Sequence, residues 1–416
     1  MIRTSAKKDL VILGRGRWDL GYGSTAISMS RALAAHHRVF YIEPAFSWKE
    51  KWLYPDQTSL RFRKGYHGGK QAPYFQLPGD PANLFYLVPP LRWPTQKLPD
   101  GGLYQFLMKR NHRRMAVYLQ WAADYFDWQH PTVINFQLAA YPFSSLGFTP
   151  AQKVYYAVDR LEAAPYLQKH EPRWEVKSAA EADLVVATSK WLRHHFSEQR
   201  SDEVLYLPNG AEVKLFEQAV DQRWDRPFDL PPKGHPILLY IGMVSERLDI
   251  ALLGQLLQQH PEFHLVMIGP QKAGPGLEIL QKQPRVHLLP PKSQFELLPY
   301  LAHARCGLIP FCRSPLTEAM YPLKIHEYLA AGLPVVSTPF SPDLEDLLPH
   351  ISLAHDPQRF AAQVYRKVYH DTPDHMRQRR LFAQQHAWTQ KSEQLLDAMA
   401  THQNGQNHHL TPRIDH

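Results

Sequence analysis

The chain has 416 residues, of which 44% are apolar, so its length allows two domains of ordinary size. It contains no run of about 18 apolar residues, which excludes a predicted membrane-spanning helix. Residues 1–212 hold 27 lysines and arginines against 19 aspartates and glutamates, and therefore carry the whole net charge of +8. This asymmetry favours a polyanionic or membrane partner for the first half. Because no recognised nucleic-acid-binding motif accompanies it, we expect no nucleic-acid partner.

Few features of the sequence indicate the cellular compartment of the protein. The N-terminal segment lacks the apolar stretch and cleavage site of a signal peptide. The two cysteines, Cys306 and Cys312, show no ligand-cluster spacing and fit a reducing environment. We therefore expect a cytoplasmic protein, with peripheral attachment to the inner face of the plasma membrane as a further possibility.

The chain opens with a predicted β-α-β unit: a strand at 9–13, a helix at 24–35 and a strand at 38–42. The turn after the first strand is rich in glycine, and these residues are candidates for close approach to a sugar or phosphate: Gly14, Gly16, Gly21 and Gly23. Asp19 occupies the third glycine position of a dinucleotide fingerprint, so NAD binding is not favoured.

Residues 44–102 are rich in proline, glycine and aromatics, and we expect an irregular insert there. A long helix is predicted over 103–128, with a basic cluster at 109–114 beside aromatic residues. This pattern suits a helix at an anionic membrane surface, and equally a core helix with a solvated basic end. Strands at 132–136, 153–158, 184–188 and 204–207 alternate with helices, which predicts a parallel doubly wound sheet.

A proline-rich linker at 225–236 is predicted to separate the halves. A second β-α-β series follows, with strands at 237–241, 264–268, 285–289, 306–311 and 333–338. We therefore expect two Rossmann-like domains with a cleft between them. A last helix is predicted over 378–399, followed by a polar tail that we expect to be disordered.

The most informative segment is residues 314–339, SPLTEAMYPLKIHEYLAAGLPVVSTP. It predicts a short helix that begins at Pro322 and ends at Gly332, followed at once by a strand. Lys324 and Glu327 are three residues apart and share a helix face with Tyr328. Ligands of parallel sheets gather at helix N-termini beside the carboxyl ends of strands. The pair is therefore a candidate for holding a diphosphate and a sugar diol, or else an ordinary surface ion pair.

This segment resembles the donor-binding signature of the GT-B retaining glycosyltransferases of glycosyltransferase family 4, in the branch that includes teichuronic-acid and exopolysaccharide transferases. EADLVVATSKWLRHHF and LPNGAEVKLF are similar to the family's passage between domains. The resemblance implies an α/β fold with an acceptor domain over 1–212 and a donor domain over 213–377. It also implies a helix over 378–400 that crosses back to the first domain, before the tail at 401–416.

The resemblance implies a glycosyltransferase of cell-surface polysaccharide or glycoconjugate synthesis, which takes a UDP- or GDP-sugar donor and a glycan or lipid-linked acceptor. Candidate catalytic residues are Asp159, Lys324 and Glu327. Asp159 ends the segment YYAVDR, which resembles a cleft-facing strand end of the branch, although a helix cap is an equal alternative. Candidate donor-binding residues are Gly242, Arg247, Pro310, Thr317, Glu318, Lys324, Ile325 and Glu327. An acidic residue common in the family eight positions before Glu327 is replaced here by Ala319.

No Asp-x-Asp motif occurs, so we expect neither a metal nor another cofactor, with cations and backbone amides neutralising the leaving group. Two alternatives remain open at this point. One is a nucleotide-sugar 2-epimerase on the same fold. The other is a non-catalytic nucleotide-sugar-binding protein, which the alanine at position 319 leaves open.

Overall fold

The computed structural model describes residues 8–20, 23–54, 56–164 and 167–409. Its first sheet has eight strands in the order β3-β4-β2-β1-β5-β6-β7-β8, with every pair parallel except β3 and β4. These strands are β1 (Asp9–Leu13), β2 (Arg38–Ile42), β3 (Tyr74–Phe75), β4 (Leu84–Leu87), β5 (Thr132–Asn135), β6 (Gln152–Ala157), β7 (Leu184–Ala187) and β8 (Val204–Tyr206). Six helices accompany them: α1 (Thr25–Ala34), α2 (Trp48–Leu53), α3 (Thr58–His67), α4 (Gly102–Phe126), α5 (Glu171–Glu181) and α6 (Lys190–Ser197).

The second sheet is wholly parallel, with the order β11-β10-β9-β12-β13-β14. Its strands are β9 (Ile237–Ile241), β10 (His264–Ile268), β11 (Val286–Leu289), β12 (Cys306–Ile309), β13 (Val335–Ser337) and β14 (Ser352–Leu353). The remaining helices are α7 (Val213–Asp221), α8 (Ile250–Gln259), α9 (Pro275–Gln281), α10 (Gln294–His303), α11 (Pro315–Glu318), α12 (Leu323–Ala330), α13 (Pro357–His370), α14 (Pro373–Gln384) and α15 (Trp388–His409). Two doubly wound α/β domains, as predicted, therefore make up the fold.

The central strands of both sheets could be predicted because they are continuous apolar runs in the sequence. β1 and β9, with sequences DLVIL and ILLYI, are buried along their whole length. A parallel sheet covered by helices on both faces buries both sides of its strands, so they become continuous apolar runs. The loops at their carboxyl ends are left to carry polar residues.

The prediction of an irregular insert over 44–102 is wrong in part, because α2, α3, β3 and β4 form there. A buried charge network holds this region to the turn after β1. Arg63, only 1% exposed, donates to Glu43 Oε2 at 2.7 Å and to Asp19 Oδ2 at 2.8 Å. Ion pairing between residues distant in sequence thus supplies the order that a local pattern did not predict.

The predicted linker at 225–236 is also revised, since it is attached to the second domain. Leu230 is buried in that domain's core, and Tyr300 donates its hydroxyl to Asp229 at 2.7 Å. The two sheets are connected instead through residues 207–212. There Asn209 accepts a hydrogen bond from Thr25 at 2.9 Å and donates to the Tyr321 carbonyl at 2.9 Å.

The predicted helix over 378–399 is two helices. α14 contacts α12 in the second domain, whereas α15 contacts α1 in the first and buries Trp388 and Leu395 in its core. The chain crosses between domains at 385–387, where the His386 carbonyl and the Trp388 amide pair with the backbone of Ala211. This pairing interrupts the helix. α15 then continues to His409, whereas the tail was predicted to begin at residue 401, and residues 410–416 lie outside the described part.

Helix α4 confirms the predicted long helix and has one buried and one exposed face. Its inner face buries Met108, Met115 and Leu119 against the first domain. Its outer face exposes Phe106, which is 57% accessible, beside Arg110. No helix within the described ranges is both long and apolar enough to cross a bilayer.

Candidate active site

Helix α12 presents the predicted cation–carboxylate pair. Pro322 is the N-cap residue, in an extended conformation, so the helix begins at Leu323, one residue after the predicted start. Lys324 Nζ lies 2.6 Å from Glu327 Oε2, and the two side chains are only 20% and 4% exposed. This burial contradicts the alternative of an ordinary surface ion pair.

The Glu327 carboxylate faces the first domain. A Cβ atom placed on Gly23, in the glycine-rich turn after β1, would lie 4.0 Å from Glu327 Oε1 and 3.8 Å from Gln294 Nε2. Glu212, at the connection between domains, is near enough that Glu327 contributes to raising its pKa, although burial is the larger cause. The carboxylate is therefore directed into an inter-domain cleft rather than to the outer surface.

Two other residues of this helix are core residues. Ile325 is fully buried, so a donor contact at this position would come from its backbone. Tyr328 was expected on the face of Lys324 and Glu327. Its hydroxyl instead accepts the Ile241 amide at 2.7 Å, which fixes the helix to β9, the central strand of the second sheet. Gly332 ends the segment as predicted, with φ of +68°.

The loop before α12 is held by its own hydrogen bonds. Thr317 is fully buried, and its hydroxyl donates to the Cys312 carbonyl at 2.6 Å. Glu318 pairs with Arg313 at 2.7 Å. Ala319, at the position of the family's earlier acidic residue, is also buried. Thr317 therefore fixes the loop rather than offering a free hydroxyl to a ligand.

The loop after β9 brings Arg247 to the same region. Its guanidinium Nη1 lies 3.8 Å from Met320 Sδ, and it forms no ion pair within the described ranges. The Arg247 carbonyl accepts the Cys312 amide at 2.7 Å, and the Asp249 amide donates to the Pro310 carbonyl at 2.8 Å. The loops after β9 and β12 are thus joined, with a cation left uncommitted beside α12.

Gly242 begins that loop in a crowded position. Its carbonyl lies so close to Gly269, which follows β10, that a Cβ atom on Gly269 would be 2.2 Å from it. Both glycines have a positive φ, of 156° and 152°. The two strand ends can approach this closely only with glycine.

In the first domain, the glycine-rich turn is fixed by β2. The Tyr41 hydroxyl donates to the Gly16 carbonyl at 2.6 Å, and a Cβ atom on Gly14 would lie 2.0 Å from the Tyr41 ring. Gly23 faces the second domain, as described above. Gly21, the fourth predicted glycine, lies outside the described residues.

Asp159 lies at the carboxyl end of β6 and is half exposed, with its Oδ2 3.6 Å from Arg15 Nη1. Its backbone is held by Gln137, whose amide accepts the Asp159 N–H at 2.8 Å and donates to the Asp159 carbonyl at 2.7 Å. The 3₁₀ turn that follows has Arg160 at its N-cap, so the helix-cap alternative for Asp159 is not supported.

Gln137 is in turn fixed by a buried carboxyl group that the sequence did not single out. Glu175 Oε1 accepts from Gln137 Nε2 at 2.8 Å and from the Tyr155 hydroxyl at 2.9 Å. Burial raises the pKa of Glu175 to about 7, against the opposing effect of these hydrogen bonds and of Arg15. The residues are 38 positions apart, and no local pattern indicates their contact.

Comparison with known proteins locates a family in the second domain. Residues 235–370 match the family model described as glycosyl transferases group 1. The matched segment is about a third of the chain. It contains α12 with Lys324 and Glu327, and also Arg247.

A relative from Bacillus subtilis (strain 168), named for teichuronic acid biosynthesis as the glycosyltransferase TuaH, is 28% identical over 169 residues. The match covers 39% of this chain and 42% of that protein, so the chain aligns with less than half the length of the curated relative. The name agrees with the teichuronic-acid branch indicated by the sequence.

Solved structures extend the likeness over both domains. Sucrose-phosphate synthase from Thermosynechococcus elongatus superposes with a TM-score of 0.67 at 17% identity, covering 95% of this chain and 99% of the other. Trehalose-6-phosphate from E. coli bound with UDP-2-fluoro glucose gives 0.64 at 12%, covering 94% and 99%. Anabaena HepE in complex with UDP and glucose gives 0.61 at 15%, covering 94% and 99%. The chain therefore has the GT-B fold.

Proposed function

We propose that this protein transfers a sugar from a nucleotide-sugar donor to a glycan or lipid-linked acceptor, with retention of anomeric configuration. The observation that carries the proposal is the buried Lys324–Glu327 pair, which opens into the cleft opposite Gly23. The pair lies in the segment that matches the group 1 glycosyl transferases. A cleft between two Rossmann-like domains is also where a donor and an acceptor can be brought together without water.

Each second-domain residue has a distinct proposed role. The Glu327 carboxylate accepts hydrogen bonds from the ribose hydroxyls, since an ionised carboxylate is purely an acceptor. Lys324 and the uncommitted Arg247 neutralise the diphosphate, together with backbone amides at the start of α12. We propose that these cations allow transfer with neither a metal nor another cofactor. Asp159, presented by the first domain, contacts the acceptor or the transferring sugar.

The donor class can be tested by thermal shift against UDP, GDP and their sugars, because a ligand that binds the folded state raises its melting temperature. We expect stabilisation by a UDP- or GDP-linked ligand. UDP-glucose is the first donor to test, since two structures similar in fold are complexes with UDP-glucose and with UDP-2-fluoro glucose. Absence of a shift with every nucleotide would contradict the proposal.

Product analysis separates transfer from its alternatives. A transferase releases nucleoside diphosphate in proportion to glycosylated acceptor. A free epimerised sugar nucleotide, formed without an acceptor, would show a 2-epimerase instead. Nucleotide binding without any turnover across an acceptor panel would support a non-catalytic binding protein.

We further propose that the acceptor is made at the inner face of the plasma membrane, in cell-surface polysaccharide or glycoconjugate synthesis. Trp52 and Tyr54, at the end of α2, are 85% and 59% exposed, and Phe106 of α4 is 57% exposed. α2 and α4 are linked through Trp93, which contacts the Trp48 ring and bonds to Asn111. Exposed aromatics beside lysines and arginines suit an anionic bilayer surface.

Vesicle flotation tests this membrane face. We expect the protein to float with vesicles that contain anionic lipid and to remain behind with neutral vesicles. Replacing Trp52 and Phe106 by serine should weaken flotation, whereas replacing Phe228, which is 99% exposed on the second domain, should not. Equal binding to both vesicle types would reject the proposed face.

A further inference from the structure

A buried asparagine is hydrogen-bonded to both domains. Asn209 lies in the segment that connects the two sheets and is only 4% exposed. Its side-chain oxygen accepts a hydrogen bond from the Thr25 hydroxyl at 2.9 Å, and its side-chain nitrogen donates to the Tyr321 carbonyl at 2.9 Å. Thr25 belongs to the first domain and Tyr321 to the second. One side-chain amide therefore connects the two domains directly.

Both partners of Asn209 belong to segments that carry residues of the cleft. Thr25 is the first residue of α1 and follows Gly23 by two positions. Tyr321 lies two residues before α12, the helix that presents Glu327. A Cβ atom on Gly23 would lie 4.0 Å from Glu327 Oε1, so these two segments face each other. The two bonds of Asn209 therefore fix the start of α1 relative to the start of α12.

Tyr321 is itself held by α12 and by the second segment that crosses between the domains. Its hydroxyl lies 2.7 Å from Nε2 of His326, which is fully buried in α12. The His326 ring stacks on the His386 ring, with centroids 4.3 Å apart. The His386 carbonyl in turn accepts the Ala211 amide at 3.0 Å. The network thus includes both places where the chain passes from one domain to the other.

A second buried side chain also connects the domains, through residues that are not candidates for the site. Asp343 of the second domain is fully buried and accepts the Lys190 amide at 2.9 Å and the Tyr206 hydroxyl at 2.6 Å, both from the first domain. Its other side-chain bond, from the Ser341 hydroxyl at 2.9 Å, lies within its own domain. Loss of the Asn209 bonds would therefore leave the domains attached and change their alignment.

We propose that Asn209 is a positioning residue for sugar transfer, which aligns the glycine-rich turn of the first domain with α12 of the second. The inference rests on the proposed function and deepens it, because the nucleotide is held by the second domain whereas the transferring sugar lies between the domains. A buried amide that loses a partner is costly, so the alignment that keeps both bonds is favoured. Without these bonds, contacts to the sugar should weaken more than contacts to the nucleotide.

Calorimetric titration of UDP and UDP-glucose into Asn209→Ala, which lacks both bonds, tests this difference. We expect the affinity for UDP-glucose to fall about tenfold and the affinity for UDP to change less than about twofold. Thr25→Val removes only the hydroxyl that donates to Asn209 and should show the same selective loss. Unchanged affinity for UDP-glucose in Asn209→Ala, or an equal loss for the two ligands, would overturn the proposal.

Two further variants separate alignment from a loss of stability alone. Thr25→Ser restores a hydroxyl and should bind UDP-glucose within about twofold of the wild type. Thr401→Val, at an exposed threonine of α15, is the matched control and should leave both affinities unchanged. A purely structural role of Asn209 would lower the free energy of unfolding but leave the ratio of the two affinities unchanged. If circular dichroism shows that Asn209→Ala is not folded, Thr25→Val becomes the deciding variant.

The distance between the domains tests the alignment without any ligand. Spin labels are attached at Glu203→Cys in the first domain and Phe228→Cys in the second, at positions 87% and 99% exposed. Cys312 is replaced by serine, and Cys306 is buried. We expect a broader or shifted distribution of label distances in Asn209→Ala, and a distribution identical to that of the wild type would overturn the proposal. If the wild type binds neither UDP nor UDP-glucose, the proposed function fails instead, and this measurement alone decides the inference.

Discussion

The buried carboxyl group of Glu175 should make the stability of the protein depend on pH. Its pKa is raised from an ordinary 4.5 to about 7, chiefly by burial. Between these values the folded protein keeps the proton that the unfolded chain has lost. Stability contributed by the protonated group is therefore complete below about pH 4.5 and is lost as pH rises towards 7. The difference between the two pKa values corresponds to about 3 kcal/mol of the free energy of unfolding, which is an upper figure for one buried group.

Glu175→Gln isolates this effect, since an amide oxygen can still accept from Gln137 and Tyr155 but carries no charge. We expect the free energy of unfolding of the variant to rise by about 2.5 kcal/mol relative to the wild type when both are moved from about pH 5 to about pH 8. The assay is urea unfolding of both proteins across that range, followed by fluorescence. Glu203→Gln, at a site 87% exposed, is the control and should follow the wild type. Parallel pH profiles for wild type and Glu175→Gln would refute the reasoning.

Three further predictions address the cleft and the glycines that follow helices α12 and α3. Arg247→Gln should weaken UDP binding about tenfold in calorimetry through loss of a charged hydrogen bond, and an unchanged affinity would remove the residue from the donor site. Gly23→Ala should leave UDP binding intact, because its Cβ has 3.8 Å of clearance, whereas Gly23→Phe should block it; equal affinities would contradict the facing of the two domains. In urea unfolding, Gly332→Ala should lower the free energy of unfolding by about 2 kcal/mol and Gly69→Ala by about 1 kcal/mol. Both glycines have φ near +69°, but only a Cβ atom on Gly332 would meet a neighbour, Met376 Cγ at 2.6 Å. Equal losses in the two variants would contradict the crowding at Gly332.

Both sheets could be predicted because their central strands are uninterrupted apolar segments. Runs such as Leu10–Leu13 and Ile237–Ile241 are apolar on both faces, and they are followed by glycine or polar loops. Helix α12 was also predictable, because a proline precedes it and a glycine follows it. Lys324 and Glu327 are three residues apart, so local helical geometry alone brings them together.

The insert and the crossover could not be predicted in this way. α3 has few apolar positions at helical spacing, and it is held by the Arg63–Glu43–Asp19 network between distant residues. The break at 385–387 contains neither glycine nor proline, and results from backbone pairing with Ala211. In both cases tertiary contacts decide the local conformation.

The first-domain part of the site could be predicted only in part, because it too depends on contacts between residues distant in sequence. Asp159 was found through its position after a strand. Gln137 and Glu175, which hold its backbone in place, come from separate parts of the chain, and no local sequence pattern distinguishes them.

The central claim is that Glu327 holds the donor within the inter-domain cleft. Its most direct test is calorimetric titration of UDP and UDP-glucose into wild-type protein, Glu327→Gln and Glu278→Gln, the last being an exposed control on α9. We predict a loss of about 10- to 100-fold in Glu327→Gln, from the hydrogen bonds of a charged acceptor, with the control unchanged and both variants folded. Wild-type affinity in Glu327→Gln would contradict the account.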